Sequence, residues 1–346
     1  MRHIDKIFFG NRGIFVVLFW LLSFSGVFAE ESSAETNFNP GELITHHISD
    51  SHRWHFWEGS YGTLSLPVIL YSSDRGIEVF SARNFYEDQE TVKEYNGYNL
   101  VNDHILPVEP SRHVLDFSIT KNVASIFICV ILMLWIFFRV KHGYRVNEGK
   151  PPRGIQSFFE PIIIFIRDEV AKPVIGPYYE RFLPYLLTLF FFIWFNNMMG
   201  LIPGSANVTG NIAVTLTLAL FTFFVTQFSG NKSYWKHVFN TPGVPWWLKI
   251  PVPLMPVVEL IGVITKPFAL TIRLFANMIA GHIVLLSLIS LIFVFRSIWI
   301  GPGAVLFGLF MNFLELFVAL LQAFIFTILS AMYFGDAIQE HEEATE

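Results

Sequence analysis

Leu270-Thr-Ile-Arg273-Leu-Phe-Ala-Asn277-Met-Ile-Ala-Gly281-His282 lies inside an apolar run from Leu254 to Phe295 in which only Glu259, Lys266, Arg273 and His282 can carry charge. Arg273 is too far from either end of the run for its stem to carry the guanidinium to a membrane surface. An ionisable side chain at that depth costs roughly 2.5–3.5 kcal/mol on insertion scales, which makes it a functional candidate. On a helix advancing about 100° per residue, Lys266 falls about 20° from Arg273, and Glu259 and Asn277 about 40°, so the polar groups share one stripe. A helix of this length measures about 63 Å, about twice the ~30 Å hydrocarbon core of a bilayer. The run is therefore expected to be broken, strongly tilted, or laid along the membrane within a protein interface, with Pro256, Gly262 and Pro267 as break points.

The whole chain has the same character. Its 346 residues are 53% hydrophobic and 15% charged, with a mean hydropathy of +0.49, too apolar for a soluble domain of this size. A net charge of −5 argues against a nucleic-acid partner. The single cysteine, Cys129, sits in an apolar run, which rules out a disulfide framework and a thiolate metal site.

Outward toward the N-terminus, Arg2, Lys6 and Arg12 precede an apolar run at 14–22 and small residues ending at Ala29. This is the layout of a secretory signal over residues 1–29 with Glu30 as mature start; an uncleaved first span is the alternative, disfavoured by the shortness of the run. Residues 30–113 read as an extracytoplasmic segment, with a hairpin predicted from the apolar stretches at 63–71 and 76–81. His46, His47, His52 and His55 invite a metal reading, but without cysteines they are expected to be solvated loop histidines.

Residues 114–335 read as the membrane domain. The first mature span, 123–138 with a leading extension from Leu115, is followed by Arg139, Lys141, His142, Arg145, Lys150 and Arg153, which mark the cytoplasmic side. Residues 157–175 are amphipathic, contain Pro161 and Pro173, and are expected at the interface. Spans follow at 182–198 and 212–228, joined by an uncharged outer turn. Asn196, Asn197, Asn207 and Asn211 lie near that turn, either lining a water-accessible cavity or acting as interhelical hydrogen-bond donors and acceptors. Lys232, Lys236, His237 and Lys249, with Trp235, Trp246 and Trp247, form a second positive, interfacial patch. After the Arg273 run come an outer turn at 296–303, a last apolar run at 304–334, and an acidic cytoplasmic tail at 336–346.

In that last run Glu315 and Gln322 are seven residues apart, within about 20° of one helical face. His282 falls about 180° from Arg273 on its own helix and cannot serve the same surface. A His282–Glu315 contact between the last two helices is therefore predicted, either as a structural bridge or as part of a proton relay.

Arg273-Leu-Phe-Ala-Asn277-Met-Ile-Ala-Gly281, with Glu259 and Lys266-Pro267 upstream and Leu321-Gln322-Ala-Phe-Ile-Phe326 in the last run, resembles subunit a of the F-type ATP synthases; Arg167-Asp168-Glu169-Val170 is also similar to that family. The resemblance covers about residues 115–335. It implies an all-α integral membrane protein with about five spanning helices, the last two long and tilted, an interfacial amphipathic helix, and a small extracytoplasmic segment with some β structure. It implies a non-catalytic stator without cofactor in a bacterial inner membrane, facing rotor-ring c subunits, held by peripheral-stalk b subunits and linked through them to the ATP-hydrolysing head. Arg273 would face the rotor carboxylates, Asn277 and Gln322 would line that contact, and Glu259, His282 and Glu315 would belong to access pathways, with Asn207, Asn211 and Lys266 as possible channel lining.

Two other classes are weaker. A secondary transporter using Glu259, Lys266 and Arg273 on broken helices needs repeated halves, and no internal repeat is visible. A hydrolase finds no motif: His341-Glu342 lacks the second histidine of a zinc helix, and Tyr144 stands where a phosphate loop ending in Gly149-Lys150 needs glycine.

Overall fold

The structure, a computed structural model, describes residues 41–338 apart from 42–43, 46–47, 56–61, 88–91, 102, 110, 203, 240–253 and 296–300. The expected signal segment, His46, His47, Trp246, Trp247, Lys249, most of the turn at 296–303 and residues 339–346 of the tail lie outside the described residues. The described chain forms two compact units, one holding residues 51–121 and 202–205, the other 41–50, 122–201 and 206–338.

The first unit carries seven strands among its described residues: β1 (Arg53–His55), β2 (Thr63–Ser65), β3 (Pro67–Ser72), β4 (Gly76–Ser81), β5 (Tyr98–Val101), β6 (His104–Pro107) and β7 (Val114–Asp116). All pairings are antiparallel: β1 with β2, β5 with β6, and β3 between β4 and β7. The predicted hairpin forms as β3–β4, its first arm starting at Pro67 because Thr63–Ser65 pairs with β1 instead; Ser72 pairs with Gly76, whose φ of 73° supplies the left-handed residue that a three-residue loop demands. Strand alternation turns Val68 and Leu70 inward, onto Phe85, Tyr98 and Ile105.

Two expectations change here. Leu115 and Asp116 do not extend the first span but pair with Tyr71 and Leu70, because Val-Leu at this point completes the sheet edge beside β3. His52 is buried at 3% exposure rather than solvated: residues 52 and 54 alternate to one side, so His52 turns inward with Trp54, and its Nε2 lies 3.8 Å from Asp116 Oδ2. His55 is exposed and meets Thr63 Oγ1 at 2.7 Å. Among the described residues no group of three or more His, Cys, Asp or Glu is placed to hold a metal ion.

The second unit is helical: α1 (Lys121–Val146), α2 (Ile155–Phe165), α3 (Lys172–Ile175), α4 (Tyr179–Gly200), α5 (Ile212–Ser229), α6 (Lys232–Phe239), α7 (Leu254–Phe295) and α8 (Gly301–Ile338). Among the described residues five helical passages are long and apolar enough to cross a membrane: α1, Ile155–Gly200, α5, Pro256–Leu291 within α7, and α8. A wide π turn, Ile166–Ala171, joins α2 to α3, and in it Asp168 accepts from Arg167 at 2.9 and 2.8 Å and pairs with Lys172 at 2.6 Å. The segment ends at Gly176, φ 75°, a backbone conformation that stops the helix before α4 begins.

Of the three forms allowed for the long run, the broken one is not adopted: α7 is a single 42-residue helix with Pro267 inside. Proline removes one N–H from the ladder. Threonines on either side take up carbonyls, Thr265 donating to Ile261 and Gly262 at 2.8 and 2.9 Å and Thr271 to Pro267 at 2.9 Å. None of these is the Val263 carbonyl, which loses its donor to Pro267, so the hydroxyls add bonds beside the gap and do not close it.

The buried face of α8 runs Ala304, Gly308, Asn312, Glu315, Ala319, Ala323 and on to Gly335, at spacings of three and four. Inside a bilayer, water exclusion contributes little to helix association, and close packing of small residues sets it. The extreme is Gly335, where an added Cβ would lie 2.5 Å from the Val174 carbonyl of α3. Phe182 of α4 stacks on Phe334 with ring centroids 4.9 Å apart, and Asn197 of α4 donates to the Ala319 carbonyl at 3.2 Å. These contacts fix α8 against α4 at two levels.

Candidate functional site

Leu270, Leu274 and Met278 form the inward ridge of α7, all under 3% exposed. That rotation leaves Arg273 and Asn277 on the open side, both exposed, and among the described residues Arg273 has no ion-pair partner. The surface beside it is thin. Ala269 and Ala280 are exposed, Ala276 is half-buried, and an added Cβ at Gly262 would meet nothing within 4 Å; all four fall within about 60° of Arg273 on the helical wheel. A bare cation on a strip of small side chains is a surface shaped for close approach by another helix bearing negative charge. Gln322 does not join this open face; it is 5% exposed, turned into the packing of α8.

Seven residues toward the start of α7, Lys266 is held by α8. Its Nζ lies 3.3 Å from Asp336 Oδ2 and 5.0 Å from the centre of the Tyr333 ring. Lys266 and Tyr333 line a cavity between α5, α7 and α8 with Thr222, Thr226, Gln227 and Leu270. Further along, Glu259 Oε1 lies 3.8 Å from His237 Nδ1 of α6. Sequence reading missed Tyr333 and Asp336, the latter assigned to a soluble tail; the structure continues α8 through Ile338. Their spacing of three, on the helix facing Lys266, was the available signal.

On the opposite side of α7, His282 and Glu315 meet as predicted, Nδ1 to Oε1 at 2.5 Å, with the residues 8% and 6% exposed. Gly281 makes room: an added Cβ would lie 3.0 Å from Glu315 Oε1 and 3.2 Å from its Cδ. His282 Nε2 lies 3.2 Å from the Gly200 carbonyl oxygen at the end of α4. A carbonyl only accepts, so Nε2 carries a hydrogen and Nδ1 faces the carboxyl. The short Nδ1–Oε1 contact then requires one further proton, borne either by Glu315 as an acid or by His282 as imidazolium. The pair is a one-proton holder whose ring tautomer is set by the third helix.

Asparagines occupy the same end of α4. Asn197 accepts from Thr209 Oγ1 at 2.6 Å while donating to Ala319, the behaviour of an interhelical tie. Asn211 caps α5 by accepting from Ala213 N at 2.9 Å, so its carboxamide is engaged in helix initiation. Asn207 accepts from Gly210 N at 3.0 Å and is 8% exposed. Asn196 donates to the Phe192 carbonyl at 2.8 Å.

Comparison with known proteins adds to this geometry. A family described as ATP synthase A chain matches residues 123–335, and a domain of unknown function matches residues 43–125. The chain is 40% identical to ATP synthase subunit a 2 of Chlorobaculum tepidum over 314 residues, 89% of this chain and 76% of that one. It is 46% identical to ATP synthase subunit a of Chloroherpeton thalassium over 238 residues, 67% and 70% of the two chains. It is also 46% identical to ATP synthase subunit a of Pelodictyon phaeoclathratiforme over 248 residues, 69% and 71%.

Proposed function

The chain belongs to the ATP synthase A chain family, and from that premise we propose that Arg273 and two polar pathways on either side of it carry protons between the membrane faces and the carboxylates of a rotor ring. The protein is the multi-pass membrane stator subunit of the F-type complex, and ATP chemistry belongs to other subunits of that complex. The observation that carries the mechanism is Arg273, exposed on an unbroken over-long helix with no ion-pair partner among the described residues.

A guanidinium stays charged in any protein setting, so it is a fixed positive charge beside a low-dielectric surface. An acid brought within about 4–6 Å of it is driven toward its ionised form and gives up its proton. Lys266 and His282 lie on opposite sides of Arg273 along α7, about 10 and 14 Å away at 1.5 Å per residue. This supports two separate access routes, with the Lys266 cavity, Glu259 and Tyr333 on one side and His282, Glu315 and the end of α4 on the other. The charge between them opposes direct passage. Asn277 shares the rotor-facing side, and Gln322 belongs to the same group by resemblance, from the buried side of α8.

The positive cluster after α1 and that of α6 put the Lys266 side toward the cytoplasm and the Gly200 turn outside, with the mature N-terminus extracytoplasmic. Residues 157–175 lie at the cytoplasmic interface, α7 and α8 lie tilted along the rotor ring, and peripheral-stalk b subunits hold the assembly to the ATP-hydrolysing head. Lipid contacts the exposed Ile131, Leu134 and Phe138 of α1.

Disulfide trapping tests which face meets the rotor. In a Cys129→Ala background, Ala276→Cys is expected to crosslink to a cysteine placed beside the rotor carboxylate, and Ile131→Cys is expected not to. Trapping from position 131 with none from 276 rejects the proposed face.

A further inference from the structure

Asn312 sits one turn before Glu315 in the buried stripe of α8, at 4% exposure, and its Oδ1 has no hydrogen-bond partner among the described residues. The register of the last two helices shows which way it lies. Glu315 meets His282, and an added Cβ at Gly308 would come 3.8 Å from Leu288 and 4.0 Å from Leu285. Asn312 is therefore level with the residues just beyond His282, on the side away from Arg273. A bare buried amide oxygen is costly, about 1–3 kcal/mol, so an apolar residue there would give a more stable helix. The stripe supplies alanine or glycine at its neighbouring positions, 304, 308 and 319.

Two more buried amides on the elements that hold the His282–Glu315 pair have an unpartnered atom: Asn196 Oδ1 on α4 and Asn207 Nδ2 on the turn that follows. Asn207 adjoins Gly200, since an added Cβ at Gly200 would lie 3.7 Å from Asn207 Cα and 3.8 Å from its Oδ1. Gly200 is the residue whose carbonyl fixes the His282 ring. Unpartnered buried amide atoms thus occur on three of the elements around the proton-holding pair, and the one on α8 is Asn312 Oδ1, a single turn from Glu315.

Resting on the reading of His282 and Glu315 as the outer access route, we propose that Asn312 is a positioning residue for proton entry, its side-chain amide orienting the water molecule that exchanges a proton with Glu315. On entry an O–H bond of a protonated water breaks as an O–H bond to the Glu315 carboxylate forms, leaving neutral water; exit is the reverse. An amide suits this place because it accepts and donates hydrogen bonds without itself holding the proton.

The test is passive proton flux through the membrane sector of the assembled complex in vesicles, with the head removed and a potassium diffusion potential as drive, measured across a range of pH. Asn312→Leu and Asn312→Ala are expected to lower flux about tenfold, the equivalent of one lost hydrogen bond, and Asn312→Ser to stay within about twofold of wild type. If Asn312→Leu fails to assemble, the smaller alanine decides. Wild-type flux in Asn312→Ala, or equal losses in alanine and serine variants, overturns the proposal. Glu315→Gln run alongside separates the two levels: blocked flux there with normal Asn312→Ala flux rejects only the role of Asn312, whereas wild-type flux in Glu315→Gln rejects the outer route itself.

Discussion

Arg273→Ala is expected to abolish ATP-driven proton transport by the reconstituted complex while leaving the assembled membrane sector passively leaky. The size follows from the interaction removed. Two unit charges 4 Å apart at an effective dielectric of about 20 interact by about 4 kcal/mol, close to a thousandfold in the balance between protonated and ionised rotor acid. Without that bias the acid has no reason to release its proton as it passes, and nothing separates the two routes. Arg273→Lys is expected to fail as well. Lysine is a compact charge on a flexible stem and loses its proton more readily when desolvated, so it cannot guarantee a positive charge at a fixed height. Dye-quenching assays on proteoliposomes, with and without the head attached, measure both quantities.

The second large effect concerns the buried pair. Removing one member of a buried, hydrogen-bonded pair leaves the other without its partner, at a cost of about 1–3 kcal/mol and more where a charge is left behind. His282→Ala and Glu315→Ala are each expected to reduce proton flux about a hundredfold, within the loss such a cost permits. Exchange of the two, His282→Glu with Glu315→His, restores one acid and one imidazole across the same gap. Recovery is expected to be incomplete, to within about tenfold of wild type, because a carboxylate at 282 meets the Gly200 carbonyl where imidazole donated a hydrogen. Additive losses in the double exchange would show that the two side chains act independently. Cysteines placed at 282 and 315 that never crosslink in a folded complex would argue the same.

The pairing of His282 with Glu315 was legible in the sequence because a bilayer leaves few choices. Two lone polar groups in adjacent apolar helices need partners, and helical arithmetic puts His282 opposite the Arg273 stripe. The five apolar passages were legible for a similar reason, since backbone groups in lipid must be satisfied within each segment. The β3–β4 hairpin showed through the alternation of its two apolar stretches.

Other features depended on partners distant in sequence. Val114–Asp116 borders an apolar run, and only the presence of β3 alongside makes it a strand. Pro267 suggests a break, yet α7 runs through it as one helix. Asp336 resembles the acidic residues that follow it until Lys266 and Tyr333 are placed beside it. Asn211 and Asn207 look alike as candidate lining, but Asn211 is committed to capping α5, whereas Asn207 keeps a buried amide nitrogen unpaired. Gln322 shares a helical face with Glu315, and since that face is the packed one, it is buried rather than displayed. Composition announces that a side chain is polar; the neighbouring helix decides whether it is exposed.

The distance from the Arg273 guanidinium to the nearest rotor carboxylate, in a resolved structure of the whole synthase, bears most directly on the fixed-charge mechanism. A carboxylate of the ring within about 4–6 Å of the guanidinium, across the thin face of Ala269, Ala276 and Ala280, is the expected result. A guanidinium facing lipid or paired within its own chain, with no ring carboxylate nearby, contradicts it.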